Sequence, residues 1–259
     1  AARAEVRTGI TLGKRGPEGI PTAYFGDIIA NLYALDATTG ELVWQTSPDD
    51  HHSATLTGTP AFANGNLYVP VSSLEVVTAA NPDYACCTFR GHVMAVNGED
   101  GTVLWDSYAI PNAPISTGDT KAGTKIYAPS GAPVWTSPTI DIARNLLIFG
   151  TGENYSSPAD QNSDAVIAVR LDTGERLWSR QTFPDDAWNV ACMMVDNPNC
   201  PEEDGPDYDQ ASSPLLVDIG EDDTVVVAGQ KDGRVFALDW QTGQTKLWEV
   251  KLGRGSIQG

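Results

Sequence analysis

An internal repeat constrains the fold of this chain more than any other feature of its sequence. Four segments combine an alternating apolar strand, a turn with glycine and a second strand that ends in tryptophan: LYALDATTGELVW, VMAVNGEDGTVLW, VIAVRLDTGERLW and VFALDWQTGQTKLW. The turn glycine can adopt a positive φ angle without a steric penalty. Each segment therefore predicts a β-hairpin, and its tryptophan offers a large flat surface for packing one unit on the next. The glycines are Gly40, Gly101, Gly174 and Gly243, and the tryptophans are Trp44, Trp105, Trp178 and Trp248.

Further candidate strands precede the last three hairpins, in PAFANGNLYVPVSS, SPTIDIARNLLIFGTG and SSPLLVDIGEDDTVVVAGQ. Four strands per repeat predict the blade of a β-propeller. The repeats are longer than the roughly 40–50 residues of common propeller blades, so the excess must lie in loops, where binding residues usually occur. We therefore predict an all-β fold in which residues 1–259 form a single partial propeller domain, with about three complete blades and partial blades at both ends.

Composition narrows the range of partners. The formal net charge of -18 and the pI near 4.3 argue against a nucleic-acid partner, because phosphate binding needs a basic patch. The same acidity suits solubility, a cationic partner or bound cations. No segment approaches the roughly 18 apolar residues of a membrane span, and the first residues lack the apolar core of a signal peptide.

The four cysteines favour disulfides and an oxidising compartment, although free thiols remain an alternative. None of them lies in a C-x-x-C or C-x-x-C-H pattern, so any haem c must lie on a segment outside this chain.

The repeat A-x-D-x-x-T-G-x-x-x-W resembles the tryptophan-docking motif of alcohol dehydrogenases that depend on pyrroloquinoline quinone (PQQ). FGTGENYSSP is similar to the strand end that supplies a calcium ligand in that family, and AGQKDGRVFALD to the strand whose Lys or Arg contacts the quinone. VPVSSLE, CCTFRG, SDAVIAV, DAWNVAC and NCPEEDGPDYD resemble the branch that oxidises polyvinyl alcohol.

This resemblance implies a fragment of an eight-bladed propeller that uses PQQ with calcium or a lanthanide. It implies oxidation of a polymeric or secondary alcohol in the bacterial periplasm, with electrons passed to a cytochrome c. The export signal would lie outside this chain. The alternative is a propeller scaffold of the bacterial envelope that binds partner proteins and has no catalytic role, and the fold alone does not decide between the two.

The resemblance assigns metal ligands to Glu75, at the end of VPVSSLE, and to Glu153 or Asn154, which follow the Gly-Thr-Gly turn. Carboxylate and amide oxygens suit a hard cation such as calcium. The family usually has Asn directly after this turn, so either residue could be the ligand here. The alternatives are a solvated loop glutamate and an ordinary loop start.

The cofactor contacts implied by the resemblance begin with Trp135, whose ring would stack against the planar quinone, and Lys231, whose charge would hold the quinone oxygens. The alternatives are a packed core tryptophan and a surface lysine. Arg7 and Thr57 would contact the cofactor carboxylates, since Arg suits planar bidentate contacts. Either could instead close a blade by hydrogen bonding.

The adjacent Cys86 and Cys87 resemble the disulfide ring that lies over the cofactor in this family, although two separate buried thiols remain an alternative. A second bridge is predicted between Cys192 and Cys200, across a short, turn-prone loop.

The catalytic base is where the sequence departs from the family pattern, because Asn189 stands at the position of the usual Asp. An amide cannot accept a proton near neutral pH. Asp186 could act as the base, Asn189 could only orient the alcohol, or the chain could be inactive. We favour Asp186 over its neighbour Asp185, because it is the nearest carboxylate of the same loop and a carboxylate can act as a general base. The alternative is that either Asp is a solvated turn residue.

Overall fold

A computed structural model describes residues 3–220 and 223–256, and within them the chain is almost entirely β-strand. Blade 1 consists of β1 (Thr11–Arg15), β2 (Ile20–Gly26), β3 (Leu32–Asp36) and β4 (Leu42–Thr46). Blade 2 is preceded by the short β5 (Ala54–Thr55) and consists of β6 (Ala61–Ala63), β7 (Asn66–Ser73), β8 (His92–Asn97) and β9 (Val103–Tyr108). The strands of each blade pair antiparallel with their neighbours in sequence order.

A separate hairpin joins blades 2 and 3 and consists of β10 (Ile115–Asp119) and β11 (Lys125–Ala128). Blade 3 consists of β12 (Thr139–Asp141), β13 (Leu146–Gly150), β14 (Ala165–Arg170) and β15 (Arg176–Gln181). Blade 4 consists of β16 (Leu215–Gly220), β17 (Asp223–Gly229), β18 (Arg234–Asp239) and β19 (Thr245–Lys251). The helical elements are α1 (Glu75–Thr78) and a 3₁₀-helix (Val190–Met193). Within this described part of the chain, no helix is long and apolar enough to cross a membrane.

The all-β fold built from four-stranded blades is confirmed, but the count of complete blades differs from the prediction. Four blades are complete in the described residues, where the sequence predicted about three. The difference lies in blade 1, where β1 pairs with β2 in full register. The sequence TLGKR has one strongly apolar residue and two charges in five positions, so its alternation did not signal a strand. That residues 1–259 form a single partial propeller domain stays a prediction.

The repeat tryptophans pack each blade on the next, as their flat surfaces predicted. Trp44, Trp105 and Trp178 lie against the turn glycines of the following blades, where an added Cβ would come within 2.5–2.9 Å of the indole ring. The Nε1 of Trp178 also donates a 2.8 Å hydrogen bond to the backbone oxygen of Trp240. Only glycine fits at these turns, because the backbone has a positive φ and the ring occupies the side-chain space.

The apolar cores lie between successive blades, so a strand of blade 3 contributes to two of them. In β13, Leu147 and Phe149 join the core shared with blade 2, while Leu146 and Ile148 join the core shared with blade 4. All five residues of this strand are buried. The sequence predicted one buried face for each strand, but stacking between two blades buries both.

Candidate functional site

The second strands of blades 2, 3 and 4 end at one pocket of about 390 Å³. The loops around it are joined by backbone hydrogen bonds. Gly152 N donates to Pro133 O and Lys231 N donates to Asp209 O, both at 2.9 Å. Five residues that the sequence predicted for the site line this pocket: Arg7, Thr57, Trp135, Glu153 and Lys231.

Three buried carboxylates lie together at the pocket, on Glu153, Asp207 and Asp209. One oxygen from each lies within 4.8 Å of the others. The Nζ of Lys231 is 2.8 Å from Asp207 Oδ1 and 2.8 Å from Asp209 Oδ2. This carboxylate cluster therefore places one permanent positive charge against three acidic groups.

Crowding and burial shift the pKa values of this cluster. Burial, and then the charge of Asp209, raises the pKa of Glu153 well above its ordinary value. Burial, and then Asp209, raises the pKa of Asp207 to about 7. Although burial alone would lower it, the carboxylates of Asp209 and Asp207 raise the pKa of Lys231. A hard cation that prefers oxygen ligands would relieve this repulsion, so the donor set fits calcium or a lanthanide.

The acceptors of the cluster are used unequally. Asp209 Oδ2 also accepts a 2.9 Å hydrogen bond from Trp135 Nε1, and its Oδ1 accepts one of 3.0 Å from Glu153 N. Asp207 uses Oδ1 for Lys231, and no donor among residues 3–220 and 223–256 reaches its Oδ2. Asp207 Oδ2 and the side-chain oxygens of Glu153, which accept no hydrogen bond from the described residues, are therefore the acceptors that remain for a ligand.

Trp135 and Arg7 give the pocket its capacity for a planar anion. Trp135 is half-buried, with its N–H fixed on Asp209 and the Nζ of Lys231 5.6 Å from its ring centre. Arg7 is exposed and makes no ion pair within the described part of the chain. Thr57 lies beside them, and its hydroxyl donates a long 3.4 Å bond to the Trp135 carbonyl. A flat ring, a fixed lysine and an unpaired arginine fit a planar cofactor with carboxylates.

Glu75 lies outside the carboxylate cluster. Its Oε1 accepts hydrogen bonds from Tyr84 Oη at 2.7 Å and Thr88 N at 2.9 Å, and its Oε2 accepts one of 2.8 Å from Phe89 N. The carboxylate is fully buried and already supplied with donors. Its role as a cation ligand would require exchange of these bonds and stays a prediction.

The alternatives Glu153 and Asn154 separate clearly in space. Glu153 belongs to the carboxylate cluster, whereas Asn154 does not. Asn154 Nδ2 donates to Ser130 O at 3.0 Å, and its Oδ1 accepts a 2.7 Å bond from Asp160 N. The side chain of Asn154 thus fixes its own loop, and a ligand role for it stays a prediction.

The predicted catalytic residues do not line the pocket. Asp186 is buried, and its oxygens accept hydrogen bonds from the backbone N–H groups of Asp207 and Tyr208 at 3.3 and 2.8 Å. Asn189 is also buried and caps the 3₁₀-helix, accepting a 2.9 Å bond from Ala191 N. Asp186 thus positions the segment that carries Asp207. The assignments of Asp186 as base and Asn189 as orienting group stay predictions.

Both predicted disulfides, Cys86–Cys87 and Cys192–Cys200, are present in the structure. The Cys86–Cys87 pair is buried in the core between blades 1 and 2 together with Tyr155, which lines the pocket. The cysteines themselves are not among the pocket-lining residues, so their contact with a cofactor stays a prediction.

Sequence reasoning missed Asp207 and Asp209 as site residues. They lie in NCPEEDGPDYD, a segment to whose acidic residues the family resemblance assigns no role. Two carboxylates two positions apart next to a loop are a weak signal for a cation site. Asp207 also adopts a φ of 58°, an uncommon backbone conformation that occurs more often at functional sites.

Comparison with known proteins shows which family this chain is similar to. The profile of the β-propeller domain of PQQ-dependent glucose, ethanol and alcohol dehydrogenases matches residues 55–253. Polyvinylalcohol dehydrogenases from Sphingopyxis sp. (strain 113P3) and Pseudomonas sp. are each 35% identical over 94% of this chain, which spans 38% of their length. The crystal structure of quinohemoprotein alcohol dehydrogenase from Comamonas testosteroni superposes with a TM-score of 0.65 at 24% identity, over 90% of this chain and 34% of that one.

Proposed function

Because this chain belongs to the family of PQQ-dependent alcohol dehydrogenase propellers, we propose that it contributes the cofactor pocket for oxidation of an alcohol. The observation that carries the proposal is the carboxylate cluster with Lys231 beside the half-buried ring of Trp135. The full proposal includes a polymeric or secondary alcohol as substrate, a cytochrome c as electron acceptor and a periplasmic location. The names of the polyvinylalcohol dehydrogenase relatives support the choice of a polymeric alcohol.

We assign each group of the pocket a role. Glu153 and Asp209 would hold a calcium or lanthanide ion, Trp135 would stack against PQQ, and Arg7 with Thr57 would bind its carboxylates. When bound, PQQ and the cation would supply a hydride acceptor and Lewis-acid polarisation for oxidation of the alcohol. Lys231 would place its positive charge where negative charge develops.

The residue that takes the alcohol proton is Asp207 in this proposal. Its Oδ2 is unused by donors in the described residues, and Asp207 lines the pocket. A carboxylate with an acceptor oxygen to spare can do general-base work. Asp186 supports it by holding the Asp207 and Tyr208 N–H groups.

The test is reconstitution of the purified protein with PQQ and either calcium or lanthanum. Binding should raise the melting temperature, and alcohol should then reduce an artificial electron acceptor. Lys231→Ala should weaken PQQ binding by about tenfold or more, the loss expected for one charge-assisted contact.

Lys246→Ala is the matched control, since Lys246 also pairs with two aspartates but lies on β19, away from the pocket. If Lys231→Ala and Lys246→Ala changed the affinity for PQQ equally, Lys231 would not be a contact of the cofactor. No stabilisation by PQQ at saturation in the wild type would instead favour the scaffold alternative.

A further inference from the structure

Two more cavities lie next to the candidate site, on the side of the β10–β11 hairpin. The first has a volume of about 330 Å³ and is lined by residues of both disulfides, Cys86 and Cys200. The second, of about 600 Å³, lies along β10. Tyr155 lines both the candidate pocket and the first cavity, and Thr117 lines both the first and the second. Each neighbouring pair therefore shares one wall residue, and the three spaces lie next to one another.

The inner wall of the first cavity is firmly held. Asn199 lines it, and its Nδ2 donates hydrogen bonds to the carbonyls of Ala79, Asn81 and Tyr84 at 3.1, 2.9 and 3.1 Å. The next residue, Cys200, is held by its disulfide. A wall fixed in this way loses little conformational entropy when a ligand binds.

The outer wall is the β10–β11 hairpin, which is attached to the adjacent-cysteine pair. Tyr127 N donates a 2.8 Å hydrogen bond to Cys86 O, and Ile126 pairs with Cys86 in a parallel bridge. All five residues of β10 are exposed, including Ile115 at 68%. The hairpin thus presents open, partly apolar surface along both cavities.

The chemistry of the lining favours a neutral chain that has both apolar and hydroxyl groups. Ile126 and Pro198 offer apolar contacts, while Thr117 offers a hydroxyl for hydrogen bonding. The charged residues that line these cavities in the described chain are acidic, Glu202 in the first and Asp160 in the second. An anionic ligand would therefore be repelled, whereas hydroxyl groups can donate to both carboxylates.

We propose that these two cavities form a track that binds the part of a polyhydroxylated aliphatic polymer next to the hydroxyl being oxidised. The inference rests on the proposed alcohol oxidation and adds the residues that would select a polymer. A short alcohol would lie only beside PQQ in the candidate pocket, whereas a long chain would extend past Tyr155 and along Thr117. Affinity per chain should rise with chain length until the track is filled, and then level off.

The test compares Thr117→Arg with Ser116→Arg in the complete holoenzyme. Thr117 lies between the two cavities, while Ser116 is its exposed neighbour on β10 and lines neither. With poly(vinyl alcohol) oligomers of increasing length and pentane-2,4-diol as substrates, Thr117→Arg should raise the ratio of the oligomer KM to the diol KM by about tenfold, equivalent to about 1.4 kcal/mol. Ser116→Arg should leave the ratio unchanged.

Calorimetric titration of the same oligomers into protein without PQQ supplies a readout that is independent of turnover. The oligomer Kd should rise about tenfold in Thr117→Arg only. The track would be overturned if the KM ratio and the oligomer Kd were the same in the wild type, Thr117→Arg and Ser116→Arg. It would also be overturned if the affinity of the wild type did not depend on oligomer length. An inactive wild type that still binds oligomers in a Thr117-dependent way would overturn the proposed oxidation and keep the track.

Discussion

Gly243→Ala tests whether docking of tryptophan on a turn glycine holds neighbouring blades together. Gly243 has a φ of 71°, and an added Cβ would lie 2.5 Å from the ring of Trp178. An L-residue in this left-handed conformation costs about 1–2 kcal/mol. Overpacking against a fixed ring costs a further 1–3 kcal/mol or so. The free energy of unfolding should therefore fall by about 2–5 kcal/mol.

Gly65→Ala is the matched control for backbone strain. Gly65 has a φ of 80° in the turn between β6 and β7, and its added Cβ would meet nothing within 4 Å. Only the conformational cost of about 1–2 kcal/mol should remain. Urea unfolding measures both variants, and the difference between them isolates the contact with Trp178.

A double-mutant cycle identifies the ring as the cause. In a Trp178→Ala background, the cost of Gly243→Ala should fall to that of Gly65→Ala, because the clashing atoms are gone. Equal losses for Gly243→Ala and Gly65→Ala in the wild-type background would refute the reasoning, since the ring would then contribute nothing to the penalty.

Two further predictions concern buried polar groups. His92 lies between Asp106 and Asp49, at 2.6 and 2.7 Å, the second an ion pair without an aligned hydrogen bond. Although burial alone would lower it, these carboxylates raise the pKa of His92. The stability that these two ion pairs add should thus be complete below the ordinary histidine pKa of about 6.5, and be lost as the pH rises through the pKa of His92 in the folded protein. The free energy of unfolding, measured with urea at about pH 5.5 and about pH 9, should therefore fall between the two pH values. This fall should be absent in His92→Gln. Asn189→Ala should cost about 1–3 kcal/mol in the same assay, since it removes a helix cap and leaves two buried carbonyls without a donor. A changed alcohol KM with unchanged stability would instead support its predicted contact with substrate.

The blades could be predicted from the sequence because their signals are local. A period of two and a glycine turn lie within a dozen residues, and the hairpins β3–β4 and β18–β19 followed from them directly. β1 was missed because its pairing with β2, rather than its own pattern, makes it a strand.

The carboxylate cluster was beyond the reach of the sequence because its members come from separate loops. Glu153 lies after β13, whereas Asp207 and Asp209 lie in the loop after β15. For Glu75 the family resemblance implied a ligand role, which stays a prediction. Its carboxylate accepts hydrogen bonds from the backbone N–H groups of Thr88 and Phe89, which follow α1 by about ten residues. No spacing pattern in the sequence indicates these bonds.

The burial of blade 3 on both faces has a consequence for how the site can move. The loop that carries Glu153 leaves β13 at Gly150 and returns at Ala165 in β14, and the residues of β13 and most of those of β14 are buried. Local opening starts where few buried contacts must be broken, so fluctuations should begin at exposed elements such as β10 or β16 before they reach this loop. Amide protons of β13 and β14 should then exchange only with global unfolding, so that Glu153 is held on the most slowly opening part of the molecule.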